Sequence, residues 1–227
     1  MNLDHPVTVI SGGGSGLGRA LALALAETGY RVILTGRRAE KLRETVSLMD
    51  QKSDALILPC DISCSTAVED LAHEVMLQRG PADILINNAG VFPSLQPMHE
   101  MSVSLWDETM ATNLRGTFLM MRAFLPQMIQ KNYGRILNIS APLKHYPGAA
   151  AYCASKCGID ALTKATALEN KDRNILINAV EPPLMDTEMH RGGSRPEDIV
   201  PLLIPYLDSN DTTTRGRVVK LHSPLQK

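Results

Sequence analysis

Two residues of the sequence have the types and the spacing of an acid/base pair. Tyr152 and Lys156 occur in the segment AYCASKCGIDALTKA, and a separation of four residues places two side chains on one face of a helix. A phenol, with a reference pKa of about 10, exchanges protons poorly at neutral pH. An ammonium about 4 Å away contributes roughly 4 kcal/mol at an effective dielectric of about 20, which lowers that pKa by at most about three units. We therefore predict that Tyr152 is a general acid/base activated by Lys156; the alternative is a packed tyrosine beside a snorkelling lysine.

Two polar residues upstream support this hypothesis. Ser140 ends the strand-like run RILNIS, at the carboxyl edge where a doubly wound sheet binds ligands, and its hydroxyl can polarise a substrate carbonyl. Asn113 lies inside a predicted helix, a position that asparagine does not favour, so it requires a further reason. The structural alternatives are a strand-end cap for Ser140 and a bond to the helix for Asn113.

A glycine-rich turn, SGGGSGLG, connects the first strand-like run to the first helical pattern. Gly12, Gly16 and Gly18 permit a tight turn, close approach of the backbone to a ligand and tight packing of helix on sheet. The N-terminus of the helix offers N–H groups and a positive dipole end to a pyrophosphate. Arginine and alanine follow Gly18 where a mononucleotide P-loop has Lys and Ser/Thr. The turn therefore predicts a dinucleotide site.

Arg37 and Arg38 follow the second strand, where the cofactor type is selected. A carboxylate there binds a ribose 2′-hydroxyl, whereas a 2′-phosphate requires positive charge. No acidic residue occurs in this segment before Glu40, and guanidinium groups bind phosphate in bidentate fashion. We predict NADP as the cofactor, with NAD as the second possibility. The alternative is that both arginines form only a solvated face of the next helix, in which case they do not favour NADP over NAD.

Short apolar runs alternate with longer helical patterns along the chain. The strand-like runs are VTVI, RVILT, ALILPC, DILINN, RILNIS, ILINAV and RVVKL, and six helical patterns lie among them, the longest over residues 106–131. Nearly continuous apolar strands are typical of a parallel sheet covered on both faces. The alternation predicts an α/β fold: a single Rossmann-type, doubly wound domain over residues 1–227, with a seven-stranded parallel sheet flanked by helices on both faces.

Composition limits the function classes. The chain has 227 residues, 44% hydrophobic residues and a net charge of -1, which fits one sizeable core and gives no electrostatic footprint for nucleic acid or an anionic membrane. We expect no signal peptide, transmembrane span, lipidation or peroxisomal signal, and a cytoplasmic location. The four cysteines form the pairs Cys60/Cys64 and Cys153/Cys157. Because no histidine stands beside them at ligand spacing, we predict reduced thiols and no metal site.

The motifs SGGGSGLG, CDIS, NNAG, ATN, NIS and YCASK resemble those of the classical short-chain dehydrogenases/reductases (SDRs) over nearly the whole chain. The resemblance implies an NAD(P)-dependent enzyme that interconverts a carbonyl and a secondary alcohol. It implies that Tyr152 is the general acid/base and that Lys156 lowers the Tyr152 pKa and holds the nicotinamide ribose. It further implies that Ser140 orients the substrate oxygen and that Asn113 supports a water in the proton relay.

The resemblance also implies an extended cofactor site. Asp61 is expected at the adenine, residues 87–90 along the adenosine ribose, and Thr187 at the nicotinamide carboxamide. The full set of expected cofactor-binding residues is Ser11, Gly12, Gly14, Ser15, Gly16, Leu17, Gly18, Arg37, Arg38, Asp61, Ile62, Asn88, Ala89, Gly90, Tyr152, Lys156, Pro182 and Thr187.

Three segments depart from the family pattern. Glu181, Pro182 and Pro183 stand where the family usually has Asn-Pro-Gly, and a proline without an N–H predicts a reshaped wall beside the nicotinamide. About ten residues separate Thr187 from the helix that begins near Pro196, which predicts a short lid and an open site. The final strand continues RVVKLHSP instead of a Val-Asp-Gly-Gly ending, which predicts altered C-terminal subunit contacts.

The substrate stays open at this stage. The loops VFPSLQPMHEM and APLKHYPGAA are expected to flank the pocket with Phe92, Met98, Lys144, His145 and Tyr146. Lys144 or His145 either meets an anionic substrate group or is a solvated loop residue. A short lid suits a bulky 3-oxoacyl-type carbonyl, but small ketones or sugars are equally consistent with it.

The family also implies a homodimer or homotetramer formed by the fourth and fifth helices. Candidate contact residues are Leu119, Met120, Phe124, Ala161, Leu162 and Ala165, although packing on the sheet explains many of them equally well.

Two alternatives to the predicted oxidoreductase function remain. One is a catalytically silent NADP(H)-sensing protein of the same fold. The other is a methyltransferase using S-adenosylmethionine, which typically has an acidic residue where Arg37 and Arg38 stand.

Overall fold

Seven parallel strands form one sheet. The structure is a computed structural model that describes residues 5–223. Residues 1–4 and 224–227, on which the expectations about targeting signals partly rest, lie outside the described residues. The strands are β1 Val7–Ser11, β2 Arg31–Thr35, β3 Ala55–Ile57, β4 Ile84–Asn87, β5 Gly134–Ile139, β6 Ile175–Glu181 and β7 Val218–Lys220. Their order across the sheet is β3-β2-β1-β4-β5-β6-β7.

Helices cover both faces of this sheet. The side chains of a strand alternate between faces. Val9 and Ile33 therefore pack with α3 (Ser65–Arg79) and α5 (Gly116–Gln130), whereas Ile10 and Leu34 pack with α1 (Gly16–Glu27) and α7 (Pro196–Asp208). This arrangement confirms the predicted fold class. Across residues 5–223 no helix is both long and apolar enough to span a membrane. The helices are α1 Gly16–Glu27, α2 Ala39–Ser47, α3 Ser65–Arg79, α4 Val103–Met110, α5 Gly116–Gln130, α6 Ala150–Glu169 and α7 Pro196–Asp208.

The long helix predicted over residues 106–131 is interrupted. A π-helical turn at Ala111–Arg115 separates α4 from α5, and such turns frequently occur at functional sites. Asn113 lies in this turn, fully buried. The structure thereby supplies a reason for an asparagine that a regular helix disfavours.

The crevice of the sheet lies between β1 and β4. The strand order reverses there, since β1 pairs with β2 on one side and with β4 on the other, and doubly wound sheets bind ligands at such a switch point. The buried Ser11 hydroxyl accepts bonds from the backbone N–H groups of Asn88 at 3.0 Å and Ala89 at 3.1 Å. It thereby holds the turn after β4 against the end of β1.

Candidate active site

A cleft of about 580 Å³ opens at the carboxyl edge of the sheet, within the size range of small-molecule and cofactor sites. It brings together most of the expected site residues. Ser11, Gly18 and Asn113 are not in its lining and pack behind it. The expected residues that line the cleft are Gly12, Gly14, Ser15, Gly16, Leu17, Arg37, Arg38, Asp61, Ile62, Asn88, Ala89, Gly90, Ser140, Tyr152, Lys156, Pro182 and Thr187.

The glycine turn has the shape of a phosphate cradle. Gly12 and Gly16 have φ of 69° and 50°, in the left-handed region that favours glycine. A Cβ on Gly12 would lie 2.8 Å from Asn88 Nδ2, and one on Gly18 would lie 2.2 Å from the Gly12 carbonyl oxygen. Gly18 is therefore required for packing, whereas Gly12 and Gly16 face the cleft at the start of α1. The cradle fits a dinucleotide pyrophosphate.

Charged side chains of both signs line the end of the cleft beyond β2. Arg38 Nη2 lies 2.9 Å from Glu188 Oε2 and donates to Ser15 Oγ at 3.3 Å. The Asp61 carboxylate accepts bonds from the N–H and hydroxyl of Ser63 at 3.0 and 2.8 Å. Chiefly the backbone bond from Ser63, helped by the charge of Arg37, holds the Asp61 pKa below its usual range. Two arginines and two carboxylates therefore line this end of the cleft.

Tyr152 and Lys156 share the face of α6 that lines the cleft, as their spacing predicts. Lys156 is 5% exposed, and its Nζ donates to the Ile139 carbonyl at 2.7 Å while lying 5.6 Å from the centre of the Tyr152 ring. The Phe92 ring meets the Tyr152 ring edge to face, with ring centres 4.8 Å apart. Tyr152 is thus held between an aromatic edge and a buried amine.

The pKa values of this pair differ from the sequence-based expectation. Burial raises the Tyr152 pKa to about 12, and burial lowers the Lys156 pKa to about 8. The expected lowering of the Tyr152 pKa by an ammonium 4 Å away does not occur within the protein alone. Desolvation disfavours both charged forms, and the amine donates to the Ile139 carbonyl while lying 5.6 Å from the centre of the Tyr152 ring.

Asn113 fastens the loop that follows β4. Its Oδ1 accepts from the Val91 N–H at 2.7 Å, and its Nδ2 donates to the Val91 carbonyl at 2.9 Å and to Ser155 Oγ at 3.1 Å. A Cβ on Gly90 would lie 3.3 Å from Asn113 Oδ1 and 3.8 Å from Lys156 Nζ. Asn113 therefore acts on the site by positioning this loop beside Lys156.

A charged cluster, formed by Lys144, Asp160 and Glu181, lies beside Ser140. The Ser140 hydroxyl donates to Asp160 Oδ1 at 2.7 Å, and Lys144 forms ion pairs with both Asp160 and Glu181. All three charged side chains are 14 to 16% exposed. The hydrogen bonds from Lys144 to the carboxylates outweigh its burial and raise the Lys144 pKa. This lysine is committed to two carboxylates, so it does not serve as a site for an anionic substrate group.

A model of the short chain dehydrogenase family matches residues 6–198. The chain belongs to the short-chain dehydrogenases/reductases. An NADPH-dependent pterin aldehyde reductase of Arabidopsis thaliana is 36% identical over 183 residues, which cover 80% of this chain and 75% of the relative. A 3-oxoacyl-acyl-carrier-protein reductase of Staphylococcus aureus is 33% identical over 185 residues, with coverages of 80% and 75%. The SDR is therefore an NAD(P)-dependent oxidoreductase.

The solved structures agree with this assignment. The crystal structure of an actinorhodin polyketide ketoreductase with NADPH superposes with a TM-score of 0.91 at 26% sequence identity, covering 98% of this chain and 97% of that chain. The levodione reductase structure gives a TM-score of 0.91 at 24% identity, covering 96% of each chain, and supports the fold alone.

The loop after β6 shapes the remaining wall of the cleft in this SDR. Pro182 and Pro183 line it, and the following segment is held compactly by the bonds Asp186 N–H to Ser194 carbonyl, 2.9 Å, and Thr187 N–H to His190 carbonyl, 2.7 Å. The segment between β6 and α7 contains no helix, which agrees with the short lid predicted from the sequence.

Several predicted flanking residues stand elsewhere in the SDR. Phe92 lines the cleft, but Met98 and Tyr146 are exposed outside its lining.

Two residues of the site, Asp160 and Glu188, were not predicted from the sequence. Asp160 stands four residues after Lys156 on the same helix, which is a usable signal, whereas nothing local marks Glu188.

The four cysteines are not paired with one another. Cys60 and Cys153 are buried and Cys64 and Cys157 are exposed, all four as free thiols. Within residues 5–223 no group of three or more metal-ligating side chains is present.

Three of the candidate subunit contacts, Leu119, Met120 and Phe124, belong to the core, so they are not subunit contacts. Ala161 and Ala165 are exposed and Leu162 is partly buried.

Proposed function

We propose that this SDR is an NADP(H)-preferring oxidoreductase that interconverts a carbonyl and a secondary alcohol, with Tyr152 as the general acid/base. One observation carries the proposal: a single cleft holds the glycine turn and two arginines at one end and Ser140, Tyr152 and Lys156 at the other. The NADPH dependence named for the plant relative supports the cofactor preference. We treat the whole chain, residues 1–227, as one domain built around this cleft.

The cleft residues have separate binding tasks. The glycine turn and the start of α1 hold the pyrophosphate, and Arg37 and Arg38 hold the 2′-phosphate. Lys156 binds the nicotinamide ribose and Thr187 binds the carboxamide. When bound, the nicotinamide ring supplies or accepts the hydride.

The proton is moved by the chain itself. In carbonyl reduction, Tyr152 donates its phenolic proton to the reacting oxygen, and the positive charge of Lys156 stabilises the phenolate that remains. Alcohol oxidation reverses this step. The Tyr152 pKa of about 12 keeps the acid protonated at neutral pH, while the Lys156 pKa of about 8 keeps the amine largely charged there.

The substrate end of the cleft favours a carbonyl with an apolar substituent. Phe92 packs on Tyr152 at this end, and Leu143, Pro183, Leu184 and Met189 also line the cleft. A 3-oxoacyl-type substrate fits such a surface better than a small sugar, and a relative is named as a 3-oxoacyl reductase. Since Lys144 is paired, the charge of a carrier is not recognised by that lysine.

A specific observation favours a second candidate, the catalytically silent NADP(H)-sensing protein. The Ser140 proton is given to Asp160, so this hydroxyl does not donate to a carbonyl while that bond persists. The two candidates differ in turnover and not in cofactor binding. Tight NADPH binding without reduction of any carbonyl would support the sensing protein.

The deciding experiment is a carbonyl panel with NADPH consumption as the readout. We expect turnover by the wild type, and a loss of about two orders of magnitude in Tyr152→Phe, the typical worth of a positioned proton donor. Tyr146→Phe is the matched control, because Tyr146 is 45% exposed and lies outside the cleft lining. Cofactor binding should survive both changes. Equal turnover in the wild type and Tyr152→Phe would refute the assignment.

We also propose a homodimer or homotetramer formed through α5 and α6. Exposed apolar or small side chains on these helices are Phe118, Ala161, Ala165 and Leu168. Light scattering during size-exclusion chromatography should give a mass of at least twice the chain mass of 24.8 kDa. Phe118→Lys should shift that mass toward one chain.

A further inference from the structure

An ion pair crosses the cofactor cleft between two elements that are far apart in sequence. Arg38 precedes α2 and Glu188 belongs to the loop after β6, yet Arg38 Nη2 lies 2.9 Å from Glu188 Oε2. Both side chains are about half exposed, and both residues line the cleft. We name this contact the Arg38–Glu188 clasp.

The surrounding loop fixes the position of Glu188. The Thr187 hydroxyl accepts from the N–H groups of Met189 and His190 at 3.2 and 3.3 Å, which forms a tight turn around Glu188. A Cβ on Gly16 would lie 3.2 Å from Thr187 Cγ2, so this turn packs directly against the glycine turn. The Glu188 carboxylate is therefore brought to Arg38 by backbone geometry as well as by charge.

The carboxylate stands among cations that suit a phosphate. The hydrogen bond from Arg38 lowers the Glu188 pKa, with added effects from Lys41 and Arg19. Glu188 is thus ionised at neutral pH and neutralises part of the charge at the end of β2. A ribose 2′-phosphate recognised by arginine at this position meets the same guanidinium.

We propose that Glu188 is a cofactor-discriminating residue, whose carboxylate competes with the 2′-phosphate of NADP(H) for Arg38. This inference rests on the proposed function of the cleft. A dinucleotide without the phosphate leaves the Arg38–Glu188 clasp intact, whereas NADP(H) must displace Glu188. The residue therefore weakens NADP(H) binding selectively and reduces, without abolishing, the preference for NADP(H) over NAD(H).

The test measures dissociation constants by calorimetry for NADPH, NADH, adenosine 2′,5′-bisphosphate and adenosine 5′-monophosphate. Glu188→Gln should bind both 2′-phosphorylated probes about two- to fivefold more tightly, the range expected for an exposed ion pair. Binding of the two probes without that phosphate should change by less than about twofold. In an Arg38→Gln background, Glu188→Gln should have no further effect.

Glu44→Gln is the matched control. Glu44 pairs with Arg19 at 3.1 Å and Lys41 at 3.0 Å and is 49% exposed, against 52% for Glu188, but it does not line the cleft. Equal effects of Glu188→Gln and Glu44→Gln, or an effect that persists without Arg38, would overturn the inference while leaving the proposed function intact. A wild type that binds neither dinucleotide would overturn both.

Discussion

The Ser140 hydroxyl donates its only proton to Asp160 Oδ1 at 2.7 Å. A hydroxyl has one donor and two acceptor positions, so Ser140 presents lone pairs to the cleft. Lone pairs accept a bond from an alcohol hydroxyl or from the phenol of Tyr152, but they do not polarise a carbonyl. Lys144, paired with both Asp160 and Glu181, holds the acceptor carboxylate in place.

Removal of this acceptor should change the role of the serine. In Asp160→Ala, the Ser140 proton becomes available to a carbonyl oxygen, so kcat/KM for carbonyl reduction at about pH 6 should rise about two- to fivefold, the worth of one neutral hydrogen bond. This pH keeps Lys156 charged although the variant lacks the Asp160 charge that raises the Lys156 pKa. The gain should vanish in Ser140→Ala/Asp160→Ala. Asp172→Ala, at an exposed carboxylate, controls for a change of net charge. A drop in kcat/KM in Asp160→Ala with unchanged thermal stability would contradict this account.

Carbonyl reduction should depend on pH through Lys156. The amine is charged below its pKa of about 8 and loses that charge as pH rises through this value, which withdraws the stabilisation of the Tyr152 phenolate. The rate should therefore be highest below pH 8 and decline above it. Initial rates of NADPH oxidation from pH 6 to 10 at constant ionic strength measure this profile. A rate that stays level between pH 7 and 10 would rule out the charged amine.

The same buried amine should cost stability. The Lys156 pKa falls from 10.5 in the unfolded chain to about 8 in the folded protein, so between these values the unfolded state binds more protons and stability rises with pH. Below pH 8 the lysine is charged in both states, so the full desolvation cost of the buried ammonium lowers the free energy of unfolding. Lys156→Met should therefore raise the free energy of unfolding at pH 7 by about 1 to 3 kcal/mol. Relative to the wild type, its stability should also gain less between pH 8 and 9.5, as urea titrations would show.

A second buried cation has a structural role. Arg135 is fully buried in β5 and donates to the carbonyls of Ser209, Gly134 and Asn174 and to the side-chain oxygens of Asn174 and Asn210. Arg135→Ala removes these donors and leaves a cavity, so it should destabilise the protein by about 3 kcal/mol or more.

An exposed arginine supplies the control for that measurement. Arg122 pairs with Glu69 at 3.0 Å, with both side chains more than half exposed. Arg122→Ala should cost less than about 1 kcal/mol in urea unfolding. Similar losses in the two variants would show that the Arg135 contacts contribute no more than a surface pair.

Local patterns in the chain were sufficient for the fold and for the chemical residues. The alternation of apolar runs predicted the strands and helices, because side-chain periodicity follows directly from backbone geometry. The spacing of Tyr152 and Lys156 predicted a shared helix face for the same reason. The placement of glycines between a strand and a helix predicted the cradle, since glycine adopts the positive φ of Gly12 and Gly16 at no steric cost.

Tertiary structure decided how those residues are paired and charged. Arg38 meets Glu188 across 150 positions of sequence, and Ser140 meets Asp160 through packing of α6 on the sheet; neither contact has a local signature. The Tyr152 pKa is raised, although attraction to a nearby ammonium predicted a lowered value, and the Lys156 pKa is lowered. Both shifts come from desolvation, which depends on every element packed around a group and not on its neighbours in sequence. The sequence by itself determined which chemical groups stand at the carboxyl edge of the sheet, and only the folded chain decided which of them carry protons and charge there.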